Sequence, residues 1–225
     1  MKTLIKLSLL FFAFGLMMTA CSNNNNSSEA AETGDAVGDA ATVPATATNY
    51  AINTAESVIN WTGSKPTGST HIGTIKLSDG QLSMNGDELA GGSFTIDMNS
   101  LANQDLPEDQ RGDLEGHLKT EDFLDVANHP KGTFVLTSAS KVADKPNITH
   151  NIKGDLTLRG VTKNVSFDAN VAVINNTIRA VTPSFTINRT EWGINYNSGI
   201  LGTVKDKLID DDIALVISLS GSTAN

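Results

Sequence analysis

From Tyr50 onward the apolar residues recur at every second position. Ile75 and Leu77 alternate with polar neighbours, and so do Phe94, Ile96 and Met98. Ile148, His150, Ile152, Gly154, Leu156 and Leu158 fall on one face of a long strand, and Val165, Phe167, Ala169, Val171 and Val173 on one face of the next. Ile213, Leu215, Ile217 and Leu219 repeat the pattern near the C-terminus. A period of two predicts half-buried antiparallel strands with one apolar face each. Turn chemistry is expected at Ser78-Asp79-Gly80, Asn85-Gly86-Asp87, Gly91-Gly92, Arg159-Gly160 and Asn175-Asn176. Glycine and asparagine tolerate the positive φ that tight hairpins demand.

One stretch departs from this period. Asp105 is a candidate N-cap, Pro107 suits a first helical turn, and Glu108 stands at a capping-box position. Leu114 and Leu118 are four apart, so they stack on one helical face. The spacing predicts a helix near 107–119 and a further helical turn at 121–126. His129-Pro130 closes the excursion, because the residue before proline avoids helical geometry. The fold class is therefore all-β with a short helical insert, as a barrel or a sandwich. Alternation does not separate the two, since it says only that each strand has an apolar face.

The first 49 residues have a different character. Lys2 and Lys6 precede an apolar run from Leu7 to Met18, too short for the roughly 20 residues of a membrane span but suited to an export signal. Met18-Thr19-Ala20-Cys21 resembles a bacterial lipobox. It implies a signal peptide over 1–20 and a Cys21 carrying diacylglycerol and palmitate or a similar acyl chain. Ser22 in place of an aspartate resembles an outer-membrane address, facing the periplasm. Residues 21–48, with the Asn23–Asn26 run and Val37 and Val43 as their only large aliphatics, read as a flexible tether.

Charge and composition exclude several functions. The chain has 225 residues, 16 Lys and Arg against 25 Asp and Glu, and a formal charge of −9. Loss of residues 1–20 removes two lysines and no acid, leaving −11. Such a surface does not track nucleic acid, and it needs an acyl chain rather than charge to stay on an anionic membrane. A single cysteine excludes an internal disulfide. His71, His117, His129 and His150 show no short zinc-ligand spacing, and Asp210-Asp211-Asp212 lacks the glycine and spaced oxygens of a calcium loop. No nucleophile elbow, phosphate loop or dinucleotide fingerprint occurs, so neither cofactor nor catalysis is expected.

Three stretches together resemble the YceI-like family of bacterial periplasmic lipid-binding proteins. They are Leu114 to Val126 followed by His129-Pro130, then Gly154-Asp155-Leu156-Thr157-Leu158-Arg159-Gly160-Val161-Thr162-Lys163, then Phe185-Thr186-Ile187-Asn188-Arg189-Thr190-Glu191-Trp192-Gly193-Ile194. The resemblance covers about Tyr50 to Leu219, and the domain is set at 49–225. Trp61-Thr62-Gly63-Ser64-Lys65 and His71-Ile72-Gly73 look like a family subtype. The resemblance implies an antiparallel lipocalin-like β-barrel of about eight strands, with an isoprenoid or other long-chain amphiphile as partner.

For such a site the tail-lining candidates are Trp61, Phe94, Phe134, Leu156, Leu158, Phe167, Phe185 and Ile187; the alternative for each is plain core. Arg189, and Arg159 less so, are candidates for an anionic head group, against the alternative of pairing with one of the many acids. Lys65 and His71 are candidates for the mouth, against the alternative of a solvated loop. Two rival functions remain open. One is an envelope interaction protein whose barrel is filled by side chains and whose outer surface meets a partner; separately, an exposed strand edge near the helical insert is one route to a homodimer. The other is an enzyme on a lipid head group, built from Lys65, His71 and Arg189.

Overall fold

The computed structural model describes residues 28–202 and 204–223. The export signal, Cys21 and the Asn23–Asn26 run lie outside the described residues. The elements in chain order are β1 (Glu29–Ala30), β2 (Glu32–Asp35), β3 (Thr48–Ile52), β4 (Val58–Ser64), β5 (Thr70–Asn85), β6 (Glu88–Asn103), α1 (Glu108–Leu118), β7 (Lys131–Lys141), β8 (His150–Leu158), β9 (Val161–Ile174), β10 (Thr177–Val181), β11 (Phe185–Asn188) and β12 (Asp212–Thr223). Short 3-10 turns occupy Arg189–Trp192 and Gly199–Leu201.

The strands β4, β5, β6, β7, β8, β9, β10 and β12 pair in that order, antiparallel throughout, and β12 returns to β4. This closed ring of eight strands is a barrel, and closure removes the open edges that invite association. Between β5 and β12 the wall is made twice, once by β3 (Tyr50 against Leu82 and Thr223) and once by β4 (Ile59 against Ile75 and Ile217). Most of the alternating residues point where their period says, but Val173 is exposed near the end of β9 and Ile148 lies before β8 begins. Val165, Phe167, Ala169 and Val171 are buried on β9, and His150, Ile152, Gly154 and Leu156 on β8.

Three of the five expected turns are hairpin turns: Gly86-Asp87, Arg159-Gly160 and Asn175-Asn176, with φ of +64° at Gly86 and positive φ at both members of each of the other two pairs. The other two lie inside strands. Ser78-Asp79-Gly80 is a register shift within the 16-residue β5, which bends that strand without ending it. Gly91 and Gly92 sit within β6 because the sheet needs clearance there: a Cβ at Gly92 would come within 2.6 Å of Leu82 Cδ2. The helix spans 108–118, but Asp105 does not cap it, and 121–126 forms hydrogen-bonded turns rather than a helical turn. Pro107 occupies the cap position without a side-chain bond.

The tether reading fails from Ser28 onward. Below β10, strands β9 and β11 diverge, and the N-terminal segment fills that seam. β1 pairs in parallel with β11 (Glu29 with Phe185), and β2 pairs antiparallel with β9 (Thr33 with Val165). Ala31 N–H adds a bond to Thr186 O at 2.8 Å. Further on, Ala41 N–H donates to Leu136 O at 2.9 Å. The buried carboxylate of Asp155 accepts from the N–H groups of Val37 (3.0 Å) and Gly38 (2.8 Å) and from Asn164 Nδ2 (2.7 Å). Burial opposes the charge on Asp155, yet these donors outweigh it and hold its pKa below the ordinary carboxylate value. Asp155→Ala is therefore expected to loosen residues 28–42 at a cost of about 1–3 kcal/mol, the penalty of stranding the donors it now satisfies. Hydrogen exchange checks this: the amides of Val37 and Gly38 should lose protection first, with those of β8 unchanged.

His150, on the inward face of β8, is 2% exposed. Burial holds its imidazole below the ordinary value of 6.5, the nearby Lys141 adds to this, and Asp87 opposes it. The unfolded chain therefore takes up this proton before the barrel does. The stabilisation from neutral His150 is whole above about pH 6.5 and is lost as pH falls toward the lowered folded value. His150→Leu should lose less thermal stability than wild type between about pH 7.5 and about pH 5, as read by circular dichroism melts.

Candidate functional site

The barrel is filled at one end and hollow at the other. Tyr50, Ile52, Leu82, Leu136, Ile178 and Leu219 are buried and close the end near β3 and β10. The end beneath α1 holds a cavity of about 430 Å³. All eight apolar candidates, Trp61, Phe94, Phe134, Leu156, Leu158, Phe167, Phe185 and Ile187, line this space. They converge because alternate positions of adjacent strands share one face. Phe94 stands opposite Phe134, Phe134 opposite Leu156, and Phe185 opposite Leu215.

The floor is aromatic. Phe94 and Phe134 stack with centroids 5.0 Å apart, Phe134 and Phe167 are tilted at 5.7 Å, and Phe167 and Phe185 stack at 4.6 Å. Gly154 makes this possible: a Cβ there would lie 2.1 Å from Phe134 Cζ. Below the floor is a void of only about 30 Å³, which shares Phe94, Phe134, Phe167 and Ile217 as walls with the cavity above.

On the opposite wall the two segments that looked like a family subtype are cross-strand neighbours. Trp61 lies opposite Gly73, and Gly63 opposite His71. A Cβ on Gly73 would come within 2.5 Å of the indole, so glycine lets Trp61 lie against the sheet. Trp61 Nε1 is buried and has no hydrogen-bond partner, whereas Trp192 Nε1 donates to Leu156 O at 3.0 Å.

The mouth is roofed by α1, none of whose residues is buried. Leu114 and Leu118 face the cavity from that helix. His117, Phe123 and Tyr196 close one side, with centroids 4.9 to 5.2 Å apart. Lys65 and His71 line the rim. His71 Nδ1 lies 2.9 Å from Asp105 Oδ2, and Asp105 also accepts from Ile72 N–H (2.8 Å) and Asn103 Nδ2 (2.6 Å). Desolvation opposes the charge of Asp105, but these hydrogen bonds prevail and its pKa is held at about 2. Asp105 thus ties the end of β6 back to β5 instead of capping α1.

Arg189 lies in the cavity wall but does not present its charge to it. It is 3% exposed, and its guanidinium donates to Asp210 O (3.1 Å), Ile194 O (2.7 Å), Ile209 O (3.1 Å) and Asp211 Oδ1 (3.1 Å). Burial pulls its pKa down, and Asp211 and Asp210 beside it oppose the fall. These bonds use its fork to staple the loop before β12, which is the pairing alternative the sequence offered for it. Arg159 does not line the cavity; its Nη1 donates to Gly193 O at 3.2 Å from an exposed turn. Among the described residues no group of three or more His, Cys, Asp or Glu side chains is placed to hold a metal ion.

The lining residues that the sequence reading did not make candidates fall mainly in two groups. Ile59, Ile75, Ile96, Met98, Leu101, Val165, Ile213, Leu215 and Ile217 are on strands, where the period turns most of them to the apolar face, and a smaller group is on irregular chain. Phe123, Leu124, Ile194 and Tyr196 sit in turns, where no period points them inward. Leu114 and Leu118 carried a signal: an apolar pair on an otherwise polar helix needs something apolar to face.

Residues 50–220 match the family described as YceI-like domain. The chain is 34% identical over 97 residues to Protein YceI of Escherichia coli O157:H7, covering 43% of this chain and 47% of that protein. The match spans about half the length of that relative. Among solved structures, the fold is similar to that of Burkholderia cenocepacia BcnA, with a TM-score of 0.59 and 21% identity over 75% of this chain and 98% of that one. It is also similar to a polyisoprenoid binding domain from Saccharophagus degradans implicated in plant cell wall breakdown, with a TM-score of 0.55 and 13% identity over 78% and 98% of the two chains. At these identities the structural likeness shows the fold.

Proposed function

The chain belongs to the YceI-like domain family, and on that premise we propose that it takes up a long-chain amphiphile, shielding the tail in the hollow half of the barrel and leaving the head at the mouth. The observation that carries this reading is the apolar cavity of about 430 Å³ in a barrel otherwise closed by side chains. Burying apolar tail surface is worth roughly 25 cal/mol per Å², so several hundred Å² bind tightly without an ion pair. Isoprenoids are the proposed class, supported by the polyisoprenoid binding domain with the same fold. The Cys21 motif supports an acyl anchor in the cell envelope, at the outer membrane facing the periplasm, within reach of such lipids. Binding rather than catalysis is the proposed activity. Of the cast an enzyme would need, Arg189 is committed to carbonyls and Asp211, and His71 is tied to Asp105.

Native mass spectrometry tests the proposal on the chain from Ser22 onward, which retains every described residue, followed by organic extraction and lipid identification. A stoichiometric isoprenoid or acyl lipid supports the reading and names the class. A clean apo mass that does not change with prenyl alcohols, quinones or fatty acids overturns it in favour of an interaction protein.

A further inference from the structure

We infer that the four phenylalanines across the barrel act as a length stop, so that the site accommodates only about a dozen carbons of extended tail. This rests on the reading of the cavity as the tail site. Phe94 and Phe134 come from the neighbouring strands β6 and β7, Phe167 from β9 and Phe185 from β11 beside β12, and their rings touch in one continuous series. Phe94, Phe134 and Phe167, with Ile217, are shared walls of the cavity above and the small void below, so they are the partition between them. The void beyond, about 30 Å³, has no room for further chain.

The depth follows from β4. Ile59 lies opposite Ile217 at the partition, and Lys65 is on the rim just past the end of β4. Those six steps span about 20 Å along the strand. Tilted as barrel strands are, they span about 15 Å along the axis. An extended chain advances about 1.25 Å per carbon, given single bonds near 1.5 Å at tetrahedral angles, so about 12 carbons reach from rim to floor. A longer tail leaves its surplus at the mouth, where burial adds nothing. Gly154 keeps the stop in place, since any side chain there would displace the Phe134 ring.

The test is an affinity series with saturated fatty acids from about 8 to about 20 carbons. The carboxylate head stays constant, and each acid is kept below its aggregation concentration and read by displacement of a fluorescent fatty acid. In wild type, each added carbon should tighten binding about fourfold, the factor for one buried methylene, up to about 12 carbons, and further carbons should change it less than twofold. Phe134→Ala joins the two spaces, and its break should move to chains at least two carbons longer. Phe134→Leu, closer in volume, gives the same reading if the alanine variant fails to fold by circular dichroism. A steady gain through the longest wild-type tails, or an unmoved break in the folded variant, overturns the length stop while leaving tail binding intact. Failure of every acid to bind counts against the proposed function itself.

Discussion

Arg189→Ala is expected to lower the stability of the barrel by about 3–5 kcal/mol, because it removes a buried guanidinium and leaves several carbonyl acceptors without donors beside a half-buried Asp211. Its side chain bonds the carbonyls of Ile194, Ile209 and Asp210, and Asp211 Oδ1. Arg189 N–H also donates to Asp211 O at 2.8 Å. Alanine would leave three carbonyl acceptors and a carboxylate short of donors. For a domain near 200 residues such a loss lowers the melting temperature by roughly 10 °C or more. Arg189→Lys should recover little, because an ammonium supplies a point charge but not the planar fork that reaches four acceptors at once. Thermal melts of the three proteins decide the point. A lysine variant as stable as wild type would show that charge, not the hydrogen-bond fork, holds the loop.

Leu215→Trp should have the opposite profile, with near-wild-type stability and loss of ligand binding. Leu215 is half-buried, stands between Trp61 and Phe185 in the sheet, and faces the cavity. In a tightly filled core a larger side chain is strained by about 1–3 kcal/mol. Here the added ring has empty space to enter. It would displace roughly 100 Å² of tail contact, or about 2.5 kcal/mol, a loss near 70-fold in affinity. Displacement titration beside a melt separates the outcomes. Unchanged affinity in a folded variant would place the ligand elsewhere. Leu136→Trp is the control: Leu136 is 2% exposed in the filled half of the barrel, and overpacking there should lower stability.

The parts of this molecule that were legible in the sequence are those where a local period meets one constraint. β8 and β9 alternate because each has one face inward, and that rule places Leu156, Phe167 and their neighbours on a single apolar face of each strand. The hairpins at Arg159-Gly160 and Asn175-Asn176 were legible because positive φ narrows the choice of residue. Gly91-Gly92 misled because glycine also serves where a neighbouring side chain needs the space a Cβ would take. The N-terminal segment misled for a different reason. A strand that fills a seam through backbone bonds needs no apolar period of its own, so residues 28–38 look like a spacer while completing the wall.

Local alternation, turn chemistry and three motifs in register determined that this chain is a β-protein with one helical excursion, and which side chains point inward. They work at short range, where backbone geometry alone dictates which residues share a face. Whether those inward side chains meet or leave a space depends on how many strands close the ring and how far each face stands from its opposite. Only the assembled barrel decides that. It also decided that four phenylalanines from four strands would meet across the interior while the residues above them would not. It committed Arg189 to carbonyls brought together from two distant parts of the chain, a partnership that no spacing in the sequence encodes.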